Sequence, residues 1–82
     1  MMKIRVKLFA ILREIAGQGQ IDLELPHGAP ASSAMDQIVT RFPSILPMSR
    51  TIAIAVNRSY ARPDTILCDG DELALIPPVS GG

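Results

Sequence analysis

Between Lys3 and Leu8 apolar and charged residues alternate strictly, with Ile4, Val6 and Leu8 on one side and Lys3, Arg5 and Lys7 on the other. A period of two with one charged face predicts a strand packed on a single side. Gln20 to Leu25 repeats the pattern, setting Ile21, Leu23 and Leu25 against Asp22 and Glu24. The basic outer face of the first segment complements the acidic outer face of the second, and each opposite-charge neighbour across a sheet adds about 0.2–1 kcal/mol. The two are expected to pair antiparallel. Between them, Phe9 to Ala16 reads as a short helical turn stopped by Gly17, a residue suited to the left-handed position after a helix.

Pro26-His27-Gly28 predicts a turn, after which the period changes. Met35, Ile38, Val39 and Phe42 fall at i, i+3, i+4 and i+7, one apolar stripe of about three helical turns. Ser32 or Ser33 is expected to cap this helix, with Asp36 completing a weak capping box, because Pro30 has no capping hydroxyl. Pro43 stops it, and the segment from Pro43 to Arg50, with two prolines, is expected to be an irregular connector. Ile52, Ile54 and Val56 then alternate with Ala53 and Ala55, a strand whose second face is small and covered as well. Asn57-Arg58 predicts a turn, Ser59 to Arg62 a brief edge strand, Asp69-Gly70-Asp71 another turn, and Glu72 to Ile76 the last strand. The order ββαββ predicts an α+β fold, a mixed sheet with one main helix packed across it. The first and last strands lie side by side most easily in its centre, which is the ubiquitin-like β-grasp arrangement.

Eighty-two residues make one domain, taken as residues 1–76 followed by an extended tail at 77–82. Ordering such a chain costs on the order of 100 kcal/mol of conformational entropy, and the 48% hydrophobic content is enough to offset it. Eight basic and eight acidic residues balance, and Phe9, Phe42 and Tyr60 are the only aromatics. A nucleic-acid partner is therefore not expected, since it needs a basic surplus and a stacking platform. Nor is a membrane: no apolar run approaches the roughly 20 residues that span a bilayer, and the first residues alternate where a secretory signal is continuously apolar. Cys68 stands alone, which leaves no intramolecular disulfide or cysteine zinc site and points to a reducing, cytoplasmic setting.

Few side chains offer chemistry. His27, the one histidine, falls in a turn and is expected to be an exposed loop residue. Cys68 has no neighbouring histidine or lysine to make a thiolate and is expected to be a packing cysteine. Asp69, Asp71 and Glu72 lack the further oxygen ligands of a calcium loop, so a turn with Gly70 at positive φ is expected and no metal site. Nothing matches a phosphate-binding loop or a Ser/His/Asp set. Attention moves to the last residues, Pro77-Pro78-Val79-Ser80-Gly81-Gly82. The prolines favour an extended exit from the globule. Gly81 and Gly82 carry no Cβ and can follow a tunnel too narrow for any other residue. A frayed terminus is the plain alternative, yet two final glycines arise by chance in roughly one chain in 200. Their place directly after an apparent core strand strengthens the signal.

Taken in order, Leu8-Phe9-Ala10, Arg13-Glu14 with Gly17, Ala55-Val56-Asn57, Asp69 to Ala74 and the Pro-Pro-Val-Ser-Gly-Gly ending resemble the molybdopterin synthase small-subunit family of ubiquitin-like sulfur carriers across essentially the whole chain. The resemblance implies a β-grasp fold and a task for the tail. An E1-like adenylating enzyme uses ATP to convert the Gly82 carboxylate to an acyl-adenylate, and a sulfur donor protein then leaves a thiocarboxylate. In a heterotetramer with the synthase large subunit, that sulfur passes to a cyclic pterin precursor on the way to the molybdenum cofactor. The small subunit binds no cofactor of its own and has no turnover alone. Carried over by position, Gly82 is the sulfur-bearing residue and Gly81 its slim companion. Pro77, Pro78, Val79 and Ser80 match the tail gripped by the partner, Leu75 and Ile76 an apolar anchor that is aromatic in some relatives, and Arg13 a partner-facing position or a solvated helix face. Pro30-Ala31 departs from the usual Thr-Val before the helix. A ubiquitin-like protein modifier, a carrier for another thio-cofactor pathway and a plain binding module all remain open on these residues.

Overall fold

The two alternating segments near the N-terminus form β1 (Met2–Leu8) and β2 (Gln20–Leu25) in a computed structural model that describes residues 1–78. They pair antiparallel, with Lys3 opposite Glu24 and Arg5 opposite Asp22. The Arg5 Nε to Asp22 Oδ1 separation is 4.0 Å between exposed side chains, so this pair adds well under about 1 kcal/mol and mainly keeps the register. Between the strands, α1 (Ile11–Ala16) ends where Gly17 takes φ 73° and donates its N–H to the Arg13 carbonyl. The last strand, β5 (Glu72–Ile76), runs parallel to β1 on one side and antiparallel to β3 (Ala53–Val56) on the other. With β4 (Ser59–Ala61) at the edge, the sheet order is β2-β1-β5-β3-β4. The two chain-end strands are thus central neighbours, as the pattern predicts.

One face of the sheet carries the core. Ile4, Val6 and Leu8 join Ile21, Leu23, Leu25, Ile54, Leu73 and Leu75 beneath Leu12 of α1 and the helix α2 (Ala31–Arg41). Ala31, Ala34 and Ile38 of α2 are wholly buried, while Met35, Val39 and Phe42 pack around them only partly buried. The contact line of the helix therefore runs over its alanines, which let it approach the sheet closely.

Three expectations need correction. The main helix begins at Ala31, with Pro30 in the capping position and no side-chain cap; Ser32, Ser33 and Asp36 do not perform that task. Its first donors are met by the chain before β5 instead, Ala31 N–H by the Thr65 carbonyl at 2.8 Å and Ser32 N–H by the Pro63 carbonyl at 2.8 Å. The segment expected to be irregular is a 3₁₀ helix, Pro43–Thr51. Pro43 sits in its first turn, where no N–H is needed, and the Ser49 and Thr51 hydroxyls donate to carbonyls three residues back. Ile45 anchors it in the core. Cys68 is exposed, because Leu67 takes the inward position beside it. Among the described residues, no helix is long and apolar enough to cross a membrane.

Candidate functional site

The alternation of β5 decides what surrounds the root of the tail. Leu73 and Leu75 point into the core, both 0% exposed, and Pro77 continues the buried phase. Ala74 and Ile76 take the opposite, open face, and Pro78 is exposed. The two residues expected as an apolar anchor are therefore divided: Ile76 is half-buried on the open face, and Leu75 is enclosed in the core. Pro77, expected as the first residue of the tail, is likewise buried, and Pro78 after it is exposed. Val79, Ser80, Gly81 and Gly82 lie outside the described residues.

Around Ile76 the open face forms a shallow groove of about 330 Å³. Register builds it: Lys7 of β1, Ala74 of β5, Ala55 of β3 and Tyr60 of β4 stand in one row across four strands, with Ile76 and Glu72 on either side along β5. The two alanines make the floor, and Ala55 is only 7% exposed although it lies outside the core cluster. Phe9 and Tyr60 make the walls, 45% and 81% exposed. Lys7 and Arg58 bring positive charge to the rim, and Lys7 Nζ lies 3.1 Å from Glu72 Oε1. Phe9, Tyr60 and Ile76 thus leave apolar surface open on this face of the sheet. Arg13 is exposed on α1 and does not line this groove; its side chain lies beside Gly19, where a Cβ would meet Nε at 3.4 Å.

Phe9, Ala55, Arg58, Tyr60 and Ala74 were not legible as a site from the sequence. The available signal was the run of small outward residues in two strands, Ala53-x-Ala55 and Ala74, beside two of the three aromatics. Only the sheet order reveals that they meet.

The acidic turn is structural. Gly70 takes φ 84°, as expected for the Asp-Gly-Asp sequence. Asp69 Oδ1 accepts the Lys3 N–H at 2.7 Å, and Asp71 Oδ2 accepts the Cys68 N–H at 2.7 Å. Asp71 Oδ1 also accepts from the Asn57 side-chain amide at 2.9 Å, whose own oxygen accepts the Glu72 N–H at 3.0 Å. The carboxylates are thus engaged in fastening the start of β5 to β1 and to the β3–β4 turn. That turn is tight, with Asn57 at φ 50° and Arg58 at φ 70°, the mirror-image geometry that suits a two-residue hairpin. His27 is exposed in the loop after β2.

A sequence model of the ThiS family matches residues 6–82. The chain belongs to the ThiS family. Among members of known name, the molybdopterin synthase sulfur carrier subunit of Chlamydomonas reinhardtii is 41% identical over 99% of this chain and 100% of its own length. The protein of the same name in Arabidopsis thaliana is 37% identical over 99% of this chain and 84% of its own. Among solved structures, small archaeal modifier protein 1 of H. volcanii superposes with a TM-score of 0.85 at 30% identity, over 96% of this chain and 100% of that one. The β-grasp expectation and the family resemblance both stand.

Proposed function

We propose that this ThiS-family chain is the sulfur carrier subunit of a molybdopterin synthase, with the α-carboxylate of Gly82 as its working group. The observation that carries the reading is identity of 37% and 41%, over 99% of this chain, to two proteins named for that task. A free carboxylate is a poor electrophile. In this reading an E1-like partner consumes ATP to adenylate Gly82, AMP leaves as sulfur from a donor protein arrives, and the resulting thiocarboxylate is carried to the large subunit. There its sulfur passes to a pterin precursor. The chain contributes no turnover alone; it presents its end. Gly81 and Gly82 suit that task because they leave the backbone slim enough to enter another protein's active site.

The groove around Ile76 supplies the docking face in this proposal. It adjoins the point where the tail leaves the sheet, so a partner seated on Phe9, Tyr60 and Ile76 meets the tail root at once. Buried aromatic and aliphatic anchors carry most of the energy of such contacts. The test is intact mass after incubation with ATP, an E1-like activating enzyme and a sulfide source. Exchange of one terminal oxygen for sulfur is the expected result; an unchanged mass with an activator competent on another carrier would overturn the proposal. A second reading, attachment of Gly82 to lysines of other proteins, is favoured by the likeness to the archaeal modifier. It predicts amide-linked adducts in the same mixture when target proteins are present.

A further inference from the structure

Strained backbone gathers around one feature of this molecule. Among the described residues, three that are not glycine hold a positive φ: Ala10 at 51°, Asn57 at 50° and Arg58 at 70°. Asparagine tolerates this region, whereas alanine and arginine are strained in it. All three sit at the margin of the groove around Ile76. Ala10 follows directly on Phe9, one wall, and Arg58 lines the rim two residues before Tyr60, the other wall. At Ala10 (φ 51°, ψ −127°) the Leu12 N–H donates to the Phe9 carbonyl at 3.1 Å, a mirror-type turn whose first central position favours glycine. The hairpin tip that carries Arg58 is fastened to β5. Asn57 N–H donates to the Glu72 carbonyl at 2.8 Å, and Asn57 Oδ1 accepts the Glu72 N–H at 3.0 Å. Strain held in place by its surroundings concentrates at binding and switching sites. Here it fixes one wall and one charge of the groove before any partner arrives.

The charges define the partner. The groove lining holds two cations, Lys7 and Arg58, and one carboxylate, Glu72. Glu72 Oε1 is engaged by Lys7 Nζ at 3.1 Å, whereas Arg58 makes no ion pair among the described residues. The surplus positive charge of the groove is therefore Arg58. A partner that closes over Phe9, Tyr60 and Ile76 takes water away from it, and a desolvated charge is costly unless an opposite charge meets it. Two copies of this chain set groove to groove would bring two such cations together, which disfavours self-association through this face. We propose that the synthase large subunit presents an apolar side chain to the alanine floor of the groove and, beside it, an aspartate or glutamate to Arg58. Arg58 is then a specificity-determining residue: it steers an acidic face onto the groove and rejects a basic one. The inference rests on the sulfur-carrier reading above and names the chemistry of that partner's docking face.

The experiment measures association of the full-length chain with the synthase large subunit of the same organism by surface plasmon resonance. At about 10 mM salt, where charges are felt over roughly 30 Å, Arg58→Gly should slow association about threefold, the factor that two unit charges roughly 6 Å apart in water supply. Arg58→Glu should slow it about tenfold, since attraction becomes repulsion. Arg58→Lys keeps the charge and should stay near the wild-type rate. At about 1 M salt, with a screening length of roughly 3 Å, all the rates should converge. A merely structural role would not give this pattern, because Arg58→Gly relieves the turn and should raise the urea midpoint while association slows. Equal rates at low salt, a deficit that persists at high salt, or Arg58→Lys falling to the Arg58→Gly rate would overturn the assignment. Sedimentation of the chain alone should show a monomer; a dimer that Ile76→Ala dissociates would give the groove to a second copy instead. A large subunit that fails to bind even the wild-type chain would bring down the proposed function, and this inference with it.

Discussion

Positions 75 and 76 carry adjacent aliphatic side chains with opposite tasks, and substitution should separate them. Leu75 is fully enclosed among β1, β3 and the helices. Leu75→Ala should cost about 2–5 kcal/mol, read as a fall in the urea midpoint. Ile76 is only half-buried on the open face. Ile76→Ala should cost less than about 1.5 kcal/mol of stability yet weaken binding to the large subunit by tenfold or more, measured by calorimetry. The sequence did not reveal this division, because Leu73-Ala74-Leu75-Ile76 is apolar on both faces and its phase cannot be read without a partner strand. In β1, by contrast, the lysines and arginine announce the phase directly. Arg58 offers a second residue-scale test. It holds φ 70°, where a Cβ is unfavourable, and its side chain only rims the groove. Arg58→Gly should stabilise the hairpin by about 1 kcal/mol and raise the urea midpoint.

Elements were legible where their signals were local and missed where the stabilising partner lay far along the chain. The α1 stop at Gly17, the Asn57-Arg58 turn and the Gly70 turn each depend on a residue's own conformational tolerance, and each was readable. The start of α2 was not, since its first N–H groups are met by Pro63 and Thr65 carbonyls from a later loop. That arrangement makes the helical serines dispensable as caps. Ser33→Ala should change stability by less than about 0.5 kcal/mol, against the 0.5–2 kcal/mol lost when a true cap is removed. Asp71 is the opposite case, a loop residue on which two turns depend. Its two carboxylate oxygens bond Cys68 N–H and the Asn57 amide. Asp71→Ala should cost about 1–3 kcal/mol, and faster hydrogen exchange at the Cys68 amide should localise the loss.

At the scale of the molecule, the topology places the last strand where it is hardest to disturb. β5 is hydrogen-bonded on both sides, to β1 and β3, and its inward leucines sit in the middle of the core. This much followed from the pattern alone, because two strands at the chain ends and one crossing helix leave few other compact solutions. The groove did not follow, since its residues come from four strands and share no local signature. Pro77 and Pro78 follow directly on this doubly paired strand. On the proposed function, the chemistry of the end and the stability of the domain are expected to be separable. Among the described residues, the core cluster runs from Met2 to Leu75. Deleting Gly81 and Gly82 should therefore leave the urea midpoint within error of the intact chain, while the mass increment from ATP, activating enzyme and sulfide disappears entirely. Replacing Gly81 with Val keeps the length and the terminal carboxylate but adds a branched Cβ, and should block the same increment with the midpoint equally unmoved. Loading of the Gly81→Val chain at the normal rate would mean that the slim ending is not what the activating partner requires.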